Sequence, residues 1–496
     1  MALGIDKRIG RYSRRDVALG AAALAAAAAA GLLPLSLAAG LLAGPLLLVL
    51  CFLDPVWGLY LLVLSVPLQE FVLLPGGLTA TQFIAGLTLL SWILQMLMRR
   101  DVQLPSPLLL PWIIYLFALM LGAAFASYSV DQSIKELGRW LAAFLAFELT
   151  VAHITTRRRA FGLAACLLIA PLAAALVGLW QFATGTGPES FQIGPYVRAY
   201  GPFGKPNPLA GYLNMAWPLA AALALGLFIS LAPRREGSGR PLGRGQIALR
   251  SAAVALCGLC ALTLLAAEAA TYSRGGWLGT IAGLLTMAAL AWGRPGPRTI
   301  WSAILLGVLL LALVLGGRQY LPAGIGSRID SIVENVRIFD AAQASVNDEN
   351  FAIVERMAHW QAGWRMFQTH PLLGVGPGNY YLAYKDFFVG RWYITQGHAH
   401  NYYIHIAAEA GIIGFLAYLL LIASVARQAL RAVTAADTTF ARALAVGGCG
   451  IIAAVMMHNV FENLHVLNMG IQLSAVWGLQ AWIVGRQVDS QGGHNP

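Results

Sequence analysis

Charge is what this sequence has least of. Aspartate, glutamate, lysine and arginine make up 11% of its 496 residues, against 58% apolar residues and a mean hydropathy of +0.67. A soluble domain of this length needs a far more charged surface, which excludes a water-soluble globular protein. Cysteine is nearly as scarce. Cys51, Cys166, Cys257, Cys260 and Cys449 all lie inside apolar runs, so they read as core residues, not as a disulfide framework. Cys257 and Cys260 form a CxxC pair, but the second ligand pair of a structural zinc site is missing. Also missing is any concentrated basic patch. The net charge of +11 comes from short Lys/Arg clusters set between apolar runs, a pattern of membrane topology, and nucleic acid is not an expected partner.

What the sequence does have is one apolar run after another, each near the roughly 20 residues that cross a hydrocarbon layer of about 30 Å. Backbone polar groups in lipid must be satisfied within their own segment, so the runs are helices. They fall near 16–33, 36–53, 56–74, 78–98, 107–126, 133–152, 160–183, 209–232, 251–270, 275–292, 299–316, 402–425, 441–461 and 465–484. The expected fold is an all-α polytopic bundle of about 12–14 transmembrane helices, with one long outward-facing loop that contains short helices. Pro34, Asp54, Pro55 and Pro67 interrupt the first three runs and make them candidates for half-length or re-entrant segments. The basic N-terminus before an Ala-rich run reads as an uncleaved first helix.

With a cytoplasmic N-terminus, the clusters Arg99–Arg100, Arg157–Arg159, 234–250, Arg294 with Arg298, 427–442 and Arg486 all fall inside, as the positive-inside rule requires. Short outer loops are then nearly free of basic residues, which singles out Arg198, Lys205 and Arg274. The expected division is N-terminal helices 1–183, central helices with an outer Arg loop 184–316, a long outer loop 317–400 and C-terminal helices 401–496.

Two outer segments are long enough to carry function. The first, 184–208, reads TGTGPESFQIGPYVRAYGPFGKPNP, an ordered turn-rich loop. The second includes a helical pattern over 350–369, with Phe351, Val354, Met357, Ala358, Gln361 and Trp364 in one stripe that suits a membrane surface or a partner. HPLLGVGPGN, 370–379, breaks that helix; its glycines have no βαβ context and do not predict a nucleotide site. The densest polar cluster follows in GHAHNYYIHIAAEAGIIGF, 397–415. His398 and His400 end the loop, while His405 and Glu409 share a helix face one turn apart. Their spacing fits no paired-ligand template, so no metal is expected. From the residue types alone, anchoring at the headgroups and catalysis stay equally open.

The stretch His400–Asn401, nine residues, then Gly411-Ile412-Ile413-Gly414 resembles the His-(Asn/Ser/Gln)-x9-Gly-x-x-Gly signature of O-antigen ligases. Arg356, Trp360, Pro371, Gly374, Gly376 and Gly378 are similar to that family's long outer loop, TYSRGGWLG (271–279) to its Ser-Arg-Gly outer helix end, and RAYGPFGKPNPLAGY (198–212) to its earlier Arg-Gly-Pro-Asn loop. The resemblance covers roughly 190–425. It implies a membrane glycosyltransferase that moves a glycan from undecaprenyl pyrophosphate onto a lipid A-core or other glycan acceptor, at the periplasmic face of the cytoplasmic (inner) membrane. It further implies an inverting, metal-independent reaction without a cofactor, in which Arg198 and Arg274 grip the pyrophosphate and His400 is the base. An Arg fork matches phosphate oxygens bidentately, and an imidazole titrates near neutrality. Lys205, Arg356, Asn401, His398 and Glu409 are expected to contact substrate; helix capping competes for Asn401 and pairing with His405 competes for Glu409. The outer loops have no Asp-x-Asp pair for a divalent cation, in keeping with a metal-independent reaction. A polymerase of the same superfamily is the second reading. A polytopic transporter is the third, opposed by the few mid-membrane ionisable residues and the lack of an internal repeat.

Overall fold

The computed structural model describes residues 45, 49–69, 79–99, 106–231, 243–291, 339–347 and 350–492. The expected spans near 16–33 and 299–316, most of 36–53, and loop residues 317–338 lie outside that set. The described helices are α1 (Pro55–Ser65), α2 (Ala80–Arg99), α3 (Leu109–Ala124), α4 (Val130–His153), α5 (Arg157–Thr184), α6 (Pro206–Asn214), α7 (Trp217–Ile229), α8 (Arg244–Ala270), α9 (Arg274–Ala291), α10 (Phe351–Thr369), α11 (Tyr380–Phe387), α12 (Tyr402–Ala435), α13 (Thr439–His458) and α14 (Gly470–Gly492). Strands β1 (Gln192–Ile193) and β2 (Tyr196–Val197) form one small antiparallel pair. Six helical segments among the described residues are long and apolar enough to cross a membrane: Ala80–Met98, Arg157–Thr184, Pro206–Ile229, Arg244–Ala270, Tyr402–Ala435 and Thr439–His458. The protein is an all-α, multi-pass helical membrane protein.

Local chemistry sets where the helices begin. The hydroxyls of Ser129, Thr156 and Thr438 accept the backbone N–H groups of Gln132, Arg159 and Ala441, capping α4, α5 and α13. Asp54 and Pro55, expected to interrupt a span, instead open α1: the Asp54 carboxylate accepts from Val56 N–H, and Pro55 stands where no amide hydrogen is needed. The run 56–74 does break early, passing into a 3₁₀ turn at Val66–Leu68 that contains Pro67.

Lipid-facing and protein-facing sides are distinct. On α8, Leu249, Leu256, Leu259 and Leu262 are exposed, as expected of a helix bathed in hydrocarbon. Gly275, Gly279 and Gly283 recur every fourth residue on α9 and face α13, where added Cβ atoms at Gly279 and Gly283 would meet the carbonyl oxygens of Ala454 and Gly450 at 2.7 and 3.1 Å. Small residues thus allow the two backbones to approach closely, the usual device for packing helices in lipid.

Two expected spans are broken where the structure needs polar backbone. The run 209–232 divides at Met215–Ala216 into α6 and α7; there the Asn214 side chain accepts from Trp217 Nε1 (2.8 Å) and Thr280 Oγ1 (3.0 Å) and donates to Gly276 O (3.0 Å). The run 402–425 continues to Ala435 but is kinked at Gly411, whose φ of 62° and ψ of −165° are available only to glycine. Into this break docks the loop 371–376. Ile412 N–H donates to Pro371 O (2.8 Å), and Val375 and Gly376 N–H donate to Ala408 O and Glu409 O (3.0 and 2.9 Å). The interrupted helix and the loop satisfy each other's backbone groups.

A methyl group at Gly411 would sit 2.3 Å from the Leu372 carbonyl. Gly411→Ala should therefore cost at least about 1–3 kcal/mol from backbone strain and lower the thermal unfolding midpoint of the purified protein by several degrees. Gly86→Ala, on an exposed face of α2 with nothing within 4 Å, should leave the midpoint unchanged or slightly raised. Equal midpoints for Gly411→Ala and wild type would show that the break does not organise the fold.

Candidate active site

The site is built from three segments that converge at one end of the bundle. Residues 185–205 leave α5 through Gly185, in the left-handed region at φ 66°, and turn back along the helix ends. Their course is fixed by the Gln181 carboxamide oxygen, which accepts from Tyr200 and Gly201 N–H (3.2 and 2.7 Å), and by Ala199 N–H, which donates to Ala270 O at the end of α8 (2.9 Å). Arg198 is thereby held at the α8–α9 turn, where its Nε donates to Thr271 O (2.7 Å). Arg274 is the first residue of α9, three positions after Thr271.

The second segment approaches α12. His400 has a φ of 52°, an uncommon conformation for a residue with a Cβ, as does Tyr272 (50°) just before Arg274. Three contacts hold His400 there. Trp360 Nε1 donates to its carbonyl (3.2 Å), its N–H donates to His398 Nδ1 (3.1 Å), and Tyr402 N–H donates to Asn459 O (2.8 Å). The third segment is the turn between α13 and α14, which carries Glu462.

Glu462 joins all three. Its Oε1 accepts from His400 Nδ1 (3.1 Å) and lies 3.2 Å from His398 Nε2; its Oε2 accepts from Asn207 Nδ2 (2.6 Å), and Asn207 Oδ1 in turn accepts from Arg198 (3.2 Å). Burial opposes charge on this carboxyl, but His400, His398 and Arg356 outweigh it and hold the group well below the usual carboxylate range. Burial and the neighbouring His400 likewise push His398 well below an ordinary imidazole.

These bonds assign tautomers. His398 Nδ1 accepts a backbone N–H, so its proton is on Nε2, which lies 3.2 Å from Glu462 Oε1. His400 donates from Nδ1 to the same oxygen, which leaves its Nε2 lone pair available. His398 Nε2, His400 Nδ1 and Glu462 Oε1 lie within 4.8 Å of one another, close enough to consider a cation. A metal on His398 Nε2 would require the proton on Nδ1, against the His400 N–H that donates there, and the hydrogen bonds oppose it.

A cavity of about 860 Å³ opens over this cluster, lined among others by Arg198, Lys205, Asn207, Arg356, Arg391, His398, His400 and Glu462. Five expected site residues, Arg198, Lys205, Arg356, His398 and His400, share one cavity. Arg274 is not among its lining residues and stands on the adjoining turn. Asn401 and Glu409 also stand apart from it. Asn401 Oδ1 accepts from Ile404 N–H (3.0 Å) and caps α12. Glu409 is buried, and its carboxylate accepts from Gly378 and Tyr380 N–H (2.7 and 2.9 Å) with His405 Nε2 at 3.4 Å, so both side chains are occupied in holding the loop and helix. Sequence reading gave no site role to Glu462, Asn207, Arg391 or Tyr393. Glu462 had a usable signal: an acidic residue in a short polar stretch, HNVFENLHVLN, between two apolar runs.

The fold and site define a multi-pass membrane protein with a cationic cavity that carries an imidazole–carboxylate pair. Residues 259–419 match the family model described as O-antigen ligase, and this segment of the chain is similar to that family. The matched segment contains Arg274, Arg356, His398 and His400, whereas Arg198, Lys205 and Glu462 lie outside it. No curated protein matches the chain significantly.

His359 underpins the outer wall. Its Nδ1–H donates to Glu355 O (2.8 Å) and its Nε2 accepts Gln396 N–H (3.1 Å), a pattern open only to a neutral ring. Burial lowers its pKa from 6.5 to about 4, the Glu355 carbonyl opposing and His400 assisting. Below 6.5 the unfolded chain takes up a proton that the native state resists until about 4, so this stabilisation is complete above pH 6.5 and lost as pH falls through that window. Thermal unfolding midpoints should drop between pH 7 and 4.5, less steeply for His359→Gln than for wild type. Parallel pH profiles would remove His359 as the cause.

Proposed function

We propose that this protein is a glycosyltransferase that moves a glycan from undecaprenyl pyrophosphate onto a hydroxyl of an outer-leaflet acceptor, acting as an O-antigen ligase with a lipid A-core acceptor. One observation carries the reading: an imidazole whose tautomer is set by a buried carboxylate shares a cavity with Arg198, Lys205 and Arg356. His400 Nε2 takes the proton of the acceptor hydroxyl while the oxygen attacks the anomeric carbon. The new glycosidic bond forms as the bond from that carbon to the pyrophosphate oxygen breaks, with inversion. Arg198, Lys205 and Arg356 receive the negative charge that develops on the leaving pyrophosphate, and Arg274 acts with them from the α8–α9 turn. Arginine charge takes the place of a divalent cation in this scheme. Glu462 is a positioning residue, stabilising the imidazolium that His400 becomes.

His400→Ala should lower transfer by about a hundred- to ten-thousandfold with donor binding retained. His398→Ala should cost less than about tenfold, since its ring nitrogens are both engaged within the protein. Glu462→Gln should lower kcat with KM little changed in a protein that still folds and inserts. Near-normal turnover by purified His400→Ala would remove it as the base. Deleting the gene separates the two enzyme readings: long glycan chains left on the carrier indicate a ligase, and single-unit caps indicate a polymerase.

The reading also requires the cavity to face the periplasm from the cytoplasmic membrane. A cysteine placed at exposed Ser345 should react with an impermeant thiol reagent in intact cells, while one at exposed Asp437, between α12 and α13, should react only after lysis. The reverse pattern would overturn the orientation and the periplasmic site with it.

A further inference from the structure

The outer wall of the cavity is unlike the inner one. Arg198, Lys205, Asn207 and Glu462 approach from the bundle, whereas Phe351, Arg391, Trp392 and Tyr393 come from the segment outside it. That outer wall is rigidly built. Gly390, at φ 55°, turns the chain so that Trp392 N–H donates back to Val389 O (3.1 Å), and Val389 is fully buried. Trp392 is 7% exposed; its indole packs edge-on to Phe351 (5.1 Å between centroids), its Nε1 donates to Ala341 O (3.4 Å), and its carbonyl accepts from Tyr384 Oη (2.7 Å). Arg391 lies over the Trp392 ring, 5.7 Å from its centroid.

On this anchored turn the next residue does the opposite of its neighbour. Tyr393 is 68% exposed and lines the cavity, and its hydroxyl has no hydrogen-bond partner among the described residues. A large ring displayed on a fixed backbone costs little conformational entropy to use in binding, because only two side-chain torsions remain to be set. Its face is apolar and its tip polar. A sugar ring has matching character, with C–H groups on a face that can cover the aromatic ring and hydroxyls at its edge. The polar groups for those hydroxyls stand nearby: Gln396, whose amide donates to Glu355 Oε1 (3.1 Å), and Arg391 all line the same space. Size points the same way. At about 860 Å³ the cavity is near the upper end of ordinary ligand sites, far more than two phosphate groups fill.

We infer that Tyr393, presented by the Val389–Trp392 turn, is the stacking platform of a saccharide-binding subsite in this cavity, opposite the residues that would hold pyrophosphate. The inference rests on the transferase reading for its second ligand. The saccharide comes either from the glycan on the carrier lipid or from the acceptor, and binding measurements separate the two.

Purified full-length protein in nanodiscs is titrated with three probes: undecaprenyl pyrophosphate, the same lipid bearing one N-acetylglucosamine, and a deacylated lipopolysaccharide-core oligosaccharide. The added sugar should tighten binding to wild type by about three- to tenfold, the range of one good aromatic contact. Tyr393→Ala should abolish that gain, Tyr393→Phe should keep most of it, and affinity for the bare lipid should be the same in all three proteins. Loss in Tyr393→Ala confined to the oligosaccharide also upholds the platform and assigns it to the acceptor. Unchanged binding of both saccharide probes, or a loss of bare-lipid affinity that would make Tyr393 a lipid contact, overturns it. A wild type that binds saccharide through Tyr393 but no pyrophosphate lipid would uphold the platform and sink the transferase reading, so the two fail separately.

Discussion

One buried carboxylate, Glu462, holds the candidate site together. It accepts hydrogen bonds from Asn207 on one side and from His400 on the other, with His398 Nε2 at 3.2 Å, and through Asn207 it reaches Arg198. Those residues come from three stretches of chain separated by nearly 200 and by 62 positions. A buried charge is costly unless paired and hydrogen-bonded, and here every partner is itself fixed by a further contact. Arg198 is bound to the Thr271 carbonyl, and the His400 backbone is bound to Trp360 and His398. The carboxylate therefore acts as the common reference for the cationic wall and the imidazole.

That reference would be of little use if His400 could move, and its placement depends on a second carboxylate that never reaches the cavity. Glu409 grips the backbone of Gly378 and Tyr380, while the break at Gly411 opens α12 to the loop 371–376. Gly374 and Gly411 lie so close to the opposing backbone that a Cβ on either would fall 2.3 Å from a carbonyl carbon. Irregular backbone at this depth is tolerated because each unpaired group on the helix meets one on the loop. The outer segment is thus locked onto the membrane helix within a dozen residues of the candidate base.

The helices were legible in the sequence because lipid imposes a length and a composition on each span. The cluster around His400 was legible for a similar reason: polar residues in a sequence this apolar stand out. The interruptions were not. Gly411 read as one of a pair in a signature motif, and nothing in the local residues told that it breaks a helix for a loop forty positions upstream to fill. Asn401 and Glu409 carried the residue types of a binding site, and only their partners show that both are occupied by backbone. Glu462 was the reverse case, visible as an acidic residue between two apolar runs, but its meaning lay in contacts with Asn207 and His400 that no spacing rule encodes.

The electrostatics of the cavity follow from the same network. Arg198, Lys205, Arg356 and Arg391 line it against Glu355 and Glu462, so its lining carries more positive than negative formal charge and favours an anionic ligand. Within that field Glu462 stays ionised, held there by the two imidazoles and Arg356 despite its burial. If His400 accepts a proton from a hydroxyl, the imidazolium forms beside a carboxylate already oriented toward Nδ1, and no rearrangement is needed at the moment of transfer. His398 cannot take the same part, since its Nδ1 is committed to a backbone N–H and its Nε2 carries the proton, 3.2 Å from the same carboxylate. Two histidines two residues apart are separated in role because His400 keeps Nε2 open to the cavity, whereas both ring nitrogens of His398 are engaged within the protein.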